Sequence, residues 1–277
     1  MAEVYKVIHP SNYFNDYISR KVRPDGRSFE DFRDVKVTVN SVKTADASAV
    51  VKVGNTTVVC GIKLELTKPK AEEPNVGFLV TNIEVPALCS SKIRPGPPSD
   101  LAQITSNLLS DMIRNSKCLD LKDLCIIPDK LAWVLYCDIM CFNNDGSLLD
   151  ACMTALMASL KTLTLPTITF NEETEDISVH ERSRMPLIID GVPVATSFSI
   201  YDSTVLLVDP TIHEEEMCGD VGAGMVVCCI GEMLCGMNKV GGKSTLNDEN
   251  YSLSIDIAKE KATVVEDIIN CAINNTN

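Results

Sequence analysis

Four carboxylates crowd one short stretch of the 277-residue chain, where Asp209, Glu214, Glu215 and Glu216 follow the apolar run Val205, Leu206, Leu207, Val208. Paired carboxylates of this kind can hold a magnesium ion, although a solvated acidic loop is the plainer expectation. A second candidate is the turn Asn143-Asn144-Asp145-Gly146, whose residues tolerate left-handed geometry and break an apolar strand pattern just where a helical one begins. A helix start there would offer free backbone N–H groups and a partial positive charge to an anion. Two basic pairs complete the inventory. Arg23 and Arg27 flank the turn Pro24-Asp25-Gly26 and would clamp a phosphate or, more plainly, pair with nearby acids such as Glu30 and Asp31. Lys92 and Arg94 stand in the proline-rich loop Cys89–Pro98 and are the best candidates for contacting a passing phosphate backbone, against the plainer reading of solvated surface.

Other chemistries find no support. The cysteines form no CxxC, and His9, His180 and His213 lie in unrelated contexts, so neither a Cys/His metal site nor a nucleophile–histidine pair is assembled. The glycines at 219–224 and 241–242 lack the helix that a phosphate-binding loop needs after it. Asp138 falls inside a strand that reads as buried on both faces, which calls for a structural partner.

The elements that must position these residues centre on 131–160, LAWVLYCDIMCFNNDGSLLDACMTALMASL. Its first part is apolar in both alternation phases, the mark of a strand covered on both sides. Beyond the turn, Leu149, Cys152, Met153, Leu156 and Leu160 recur at helical spacing, and Ser147 with Asp150 matches a capping box. Before it come a short helix over 11–21, a β-meander over 35–66 turning at Gly54-Asn55, a strand at 78–88 and an amphipathic helix over 99–117. That helix should bury Leu101, Ile104, Leu108, Met112 and Ile113, leaving Gln103, Ser106, Asn107 and Ser110 on its polar face. After it, 163–186 reads as a strand running into a polar loop, 187–242 as four or five antiparallel strands, and 247–274 as a closing helix with Leu253, Ile257, Val264, Val265, Ile268 and Ile269 on one stripe.

Bulk properties narrow the class. A 45% apolar fraction suits a packed core, and a formal charge of −13 would repel phosphate on average, so any RNA contact must be local or shared with partners. No apolar segment reaches the roughly 18 residues of a membrane span. The start MAEVYKVIHPSNYF lacks the pattern of a secretory signal, so the expectation is an intracellular chain whose twelve cysteines stay reduced.

Taken in order, Arg23-Pro24-Asp25-Gly26-Arg27, SAVVKVGNTTVVCGI, SSKIRPGPPSD, the central strand–turn–helix and PVATSFSIYDSTVLLVDPTIHEEE resemble the RNase PH family over nearly the whole chain. Within it the sequence is most similar to the inert ring subunits of the eukaryotic RNA exosome, of the OIP2 type. The resemblance implies an α+β RNase PH fold, with a ribosomal protein S5 domain 2-like βαβα core and mixed sheets with helices. It places one lobe over 1–180 and another over 181–277, joined as a single compact unit. It also implies partners: other RNase PH-like ring subunits, cap proteins, single-stranded RNA passing through the assembled channel, and a separate hydrolytic exoribonuclease. The implied locations are nucleus, nucleolus and cytoplasm, with no cofactor and no membrane.

Active members of the family cleave RNA from its 3′ end with phosphate, which they hold by a Gly-Gly-Thr-Arg turn and by an arginine in Glu-Ile-x-Arg on the preceding helix. The matching residues here are Gly146-Ser147-Leu148-Leu149 and Gln103-Ile104-Thr105-Ser106. Leucine donates no hydrogen bond, and both guanidinium groups are missing, each a contact of a class worth several kcal/mol in an enclosed site. Asp209 and Glu215 fall where active members carry metal-binding aspartates. The expectation is a subunit with no catalytic residues and no bound metal. The alternatives are an active phosphate-dependent 3′-to-5′ exoribonuclease and a free-standing interaction module.

Overall fold

In the computed structural model, which describes residues 5–6, 8–89, 93, 96–170, 177–219, 224–239 and 245–275, the alternating stretch folds into three antiparallel strands. These are β1 (Val35–Val39), β2 (Ala47–Val53) and β3 (Thr56–Thr67), the last two joined at Gly54-Asn55. Gly54 is needed there because its φ is +55° and a Cβ would meet the Arg33 Cδ at 2.5 Å. The long strand β6 (Leu131–Asn143) pairs antiparallel with β3, and β4 (Phe78–Glu84) lies parallel on its other side. A parallel pair demands a crossover, which α2 (Asp100–Ser116) supplies; the short β5 (Cys125–Ile127) then leads into β6.

Ahead of the sheet, α1 (Pro10–Ile18) packs the fully buried Phe14 edge-on against Tyr201, with ring centroids 5.0 Å apart. The centre of the molecule is α3 (Leu148–Thr162), in which every residue from Leu148 to Leu160 is buried. A helix apolar on all sides belongs inside a core. It packs against β2 and β3 and also against β9 (Pro193–Tyr201) of a second sheet. That sheet has the order β10-β9-β11-β12, with β10 (Val205–Val208), β11 (Met225–Ile230) and β12 (Met233–Lys239), all antiparallel. The last helix, α5 (Asp248–Asn274), lies against β9, β11, β1 and α3, so it closes the space between the sheets.

The structure corrects several expectations. Only the first five residues of β6, Leu131–Leu135, are buried in succession; from Tyr136 onward the strand alternates, and Tyr136, Asp138, Met140 and Phe142 are exposed. No described element covers that side of the sheet there, so Asp138 is solvated and needs no buried partner; the Asn82 amide donates to it at 3.4 Å. On α2 the expected Met112 and Ile113 are buried, but Leu101, Ile104 and Leu108 are only partly so; Ala102, Thr105, Leu109 and Ser116 complete the buried stripe, and Ser106 and Ser110 turn toward Thr81 of β4 instead of solvent. On α5, Leu253 and Val264 are exposed, and the buried face includes Lys261. Part of the expected polar loop at 171–186 is a strand, β8 (Ile177–Pro186), paired with β7 (Thr164–Phe170). Finally the acidic stretch forms a helix, α4 (Ile212–Cys218), which starts after Thr211 and stops at the left-handed Gly219.

Candidate functional site

The start of α3 is where an anion would bind, and the chain has filled it from within. Gly146 has φ +85°, and a Cβ would lie 2.3 Å from the Pro210 carbonyl oxygen, so only glycine lets the 209–212 loop come this close. Ser147 does not cap the helix. It is itself left-handed at φ 50°, and its hydroxyl donates to the Pro210 carbonyl at 3.0 Å. Its backbone N–H donates at 2.8 Å to the Glu215 carboxylate, so a side chain of the protein occupies this amide at the helix start. Leu148 and Leu149 follow, each 5% exposed and part of the core.

Asp150 plays no part in a capping box either. Its carboxylate accepts the Ser197 N–H at 3.0 Å and hydroxyl at 2.6 Å, and pairs with Lys261 Nζ of α5 at 2.6 Å. Burial pushes its carboxyl up, and Lys261 and Ser197 work against that push. The triad ties α3, β9 and α5 together at the middle of the core.

Around the turn runs a second buried network. Arg33, just before β1, grips Asp209 with Nε at 2.8 Å, Nη2 at 2.6 Å and its backbone N–H at 2.9 Å. The same guanidinium donates to the carbonyls of Asp145 at 2.8 Å and Gly146 at 3.3 Å, which fixes the turn in front of α3. Burial alone would raise the Asp209 carboxyl, but the Arg33 hydrogen bonds and the charges of Lys261 and Arg33 hold it well below the usual carboxylate range. Arg27 adds contacts to the Asp209 carbonyl at 3.2 Å and carboxylate at 3.4 Å. Arg23 is fully buried, forks onto the Glu214 carboxylate and donates to the Val208 and Asp209 carbonyls. The two turn arginines are therefore structural, as the plainer expectation held: Arg27 binds the nearby Asp25 carboxylate at 2.6 Å and the Asp31 carbonyl at 3.1 Å, and the pair also reaches Asp209 and Glu214 across the fold.

The acidic cluster is mostly buried, and of Asp209, Glu214, Glu215 and Glu216 the last alone is exposed. Glu214 is 1% exposed and Glu215 6%. Glu214 also reaches back to the Thr211 N–H at 2.8 Å, half of a capping box for α4. Asp209 and Glu215 do not fit a divalent cation in this arrangement, since guanidinium groups engage the oxygens of one and a backbone amide engages the other. Among the described residues no group of three His, Cys, Asp or Glu side chains could hold a metal ion.

At the position corresponding to the second phosphate arginine, Ser106 donates to the Thr81 carbonyl at 3.1 Å and straps α2 to β4. Lys92 and Arg94 lie outside the described residues. All twelve cysteines are free thiols; burial pushes Cys60 up to about 12 and Cys229 up to about 11, so these two are packing groups with little thiolate. Sequence reasoning missed Arg33, the core role of Asp150, which it read as part of a capping box, and Lys261. An acid inside an all-apolar helix was a signal for the second of these; nothing local marks the other two.

The family model described as the 3′ exoribonuclease family, domain 1, of RNase PH matches residues 31–166. A protein of Schizosaccharomyces pombe named exosome complex component rrp43 is 41% identical over 77% of this chain and 79% of its own length. Exosome complex component Rrp42 of Pyrococcus furiosus is 32% identical over 96% of this chain and 94% of its own. Among solved structures, a chain of an Archaeoglobus fulgidus exosome with RNA bound to the active site superposes with a TM-score of 0.81 at 27% identity, covering 93% of this chain and 96% of that one. A chain of an archaeal exosome core gives 0.78 at 26% identity, covering 97% and 99%. With the sheets, the central helix and these relatives in agreement, the chain belongs to the RNase PH family.

Proposed function

We propose that this chain is a non-catalytic subunit, of the OIP2 type, in the core ring of an RNA exosome, where it helps to build and line the channel that single-stranded RNA follows. One observation carries the reading: the helix start that would hold the attacking phosphate is closed by Glu215 and followed by the buried Leu148 and Leu149. A phosphate there would displace a carboxylate from the Ser147 N–H and lie against leucine side chains, and the described guanidinium groups around the turn, those of Arg23, Arg27 and Arg33, are already held by Glu214 and Asp209. The names carried by the relatives support the exosome part of the reading. Its partners are the other RNase PH-like ring subunits, cap proteins and the hydrolytic exoribonuclease that the ring feeds, acting in RNA processing and degradation in the nucleus, nucleolus and cytoplasm. The lobes 1–180 and 181–277 act as one scaffold. An active phosphorolytic exoribonuclease is the weaker reading, because Asp209 and Glu215 serve as internal partners here.

Lys92 and Arg94 are the proposed RNA contacts in the channel. In the assembled ring, Lys92→Glu with Arg94→Glu should weaken RNA binding and shorten the length protected from nuclease. Unchanged affinity and footprint would remove these two residues from the RNA path.

A further inference from the structure

At the far end of α2 the charges are arranged in the opposite way. A cavity of about 390 Å³ opens between the C-terminal half of α2, the strand β4 and the loops carrying Leu119, Leu121 and Asp190. Leu79, Ile113, Leu119 and Leu121 give it an apolar lining, and the hydroxyls of Thr81 and Ser110 meet there at 2.6 Å. Arg114 and Lys117 contribute two cations from the helix, and Asp120 and Asp190 two carboxylates from the loops. All four are exposed, and among the described residues none forms an ion pair. Exposed charges of opposite sign gain little by pairing with one another in water, so these four stay available to another molecule.

The cavity is pre-formed. The Gly77 N–H donates to the Leu121 carbonyl at 2.9 Å, the Asp190 N–H to the Cys118 carbonyl at 2.8 Å, and Ser106 ties the helix to β4. β4 ends the order β1-β2-β3-β6-β4, so one side of it pairs with no described strand. An edge strand beside an apolar, mixed-charge groove is the setting in which an extended peptide adds alongside a sheet.

We propose that this groove binds an extended segment of a partner protein, one that carries an acidic and a basic side chain flanking aliphatic residues. The acidic side chain meets Arg114 and Lys117, the basic one meets Asp120 or Asp190, and the aliphatic ones fill the lining. Nucleic acid is the poorer fit, because Asp120 and Asp190 repel phosphate and the chain as a whole is at −13. The inference goes beyond the RNA-channel role and stands whether or not that role holds.

The test is selection of random displayed peptides on the full-length chain, with the charge-reversed variant Arg114→Glu/Lys117→Glu as counter-target. Both residues are exposed, so the variant should melt like the parent. Enriched peptides should combine an acid, a base and intervening aliphatics. As synthetic peptides they should bind the variant about tenfold more weakly, and exchanging their acid for lysine should restore the affinity. Enriched peptides that bind parent and variant alike would overturn the proposal. So would weaker binding of an oligouridylate by the variant with peptide binding unchanged, which would assign the groove to RNA.

Discussion

The two ends of the helical layer handle charge in opposite ways. At the start of α3, Asp209 meets Arg33 and Arg27, Glu214 meets Arg23, and Glu215 meets a backbone amide, all inside one network. At the end of α2, two cations and two carboxylates share a groove, and none forms an ion pair among the described residues. Buried charge without a partner is costly, so the first network can exist only because every member is answered within the chain. Exposed charge bears no such constraint and stays available to another molecule. The contrast separates buried from exposed charge: at the start of α3 the charged groups serve one another, whereas at the end of α2 they face solvent.

The sharpest way to break the contrast is to remove one buried partner. Arg33→Leu leaves the Asp209 carboxylate in the core with only the longer Arg27 contact and should cost about 3–5 kcal/mol in urea unfolding. The double variant Arg33→Leu/Asp209→Leu should recover much of that loss, because no lone charge remains. If the single variant were as stable as the parent, the network would not be structural.

Acid comes next in size. The folded-state pKa of Asp209 lies below its unfolded value, so its contribution is present above the ordinary carboxylate range. It should be lost progressively as pH falls below about 4. A urea midpoint for Asp209→Asn that drops less steeply than the parent's over that window would agree; parallel curves would not.

The smallest effect belongs to the open groove. Arg114→Ala or Asp190→Ala should change stability by less than about 0.5 kcal/mol. A larger loss by thermal melting would mean that these charges hold the fold together and are not free for a partner.

How much of this was legible in the sequence follows from what periodicity measures. The strand, turn and helix at 131–162 could be read because local alternation and helical spacing report burial directly, and Leu148 and Leu149 stand out there by residue type alone. The outer face of β6 was misread because Tyr136, Met140 and Phe142 are apolar yet uncovered, and a sequence does not show which side of a sheet receives a helix. Asp150 near Ser147 imitated a capping box, whereas its partners Ser197 and Lys261 lie far along the chain. Arg33 was silent for the same reason: its role exists only once β1, the turn before α3 and the segment after β10 meet.

The central claim is that no phosphate is used at the start of α3. The direct measurement incubates the purified chain, alone and in its ring, with 3′-extended RNA and inorganic phosphate, and follows nucleoside diphosphate release. A scaffold subunit releases none by itself and adds none to the ring. Release that scales with this chain and disappears in Glu215→Gln would show a working phosphate site and contradict the claim.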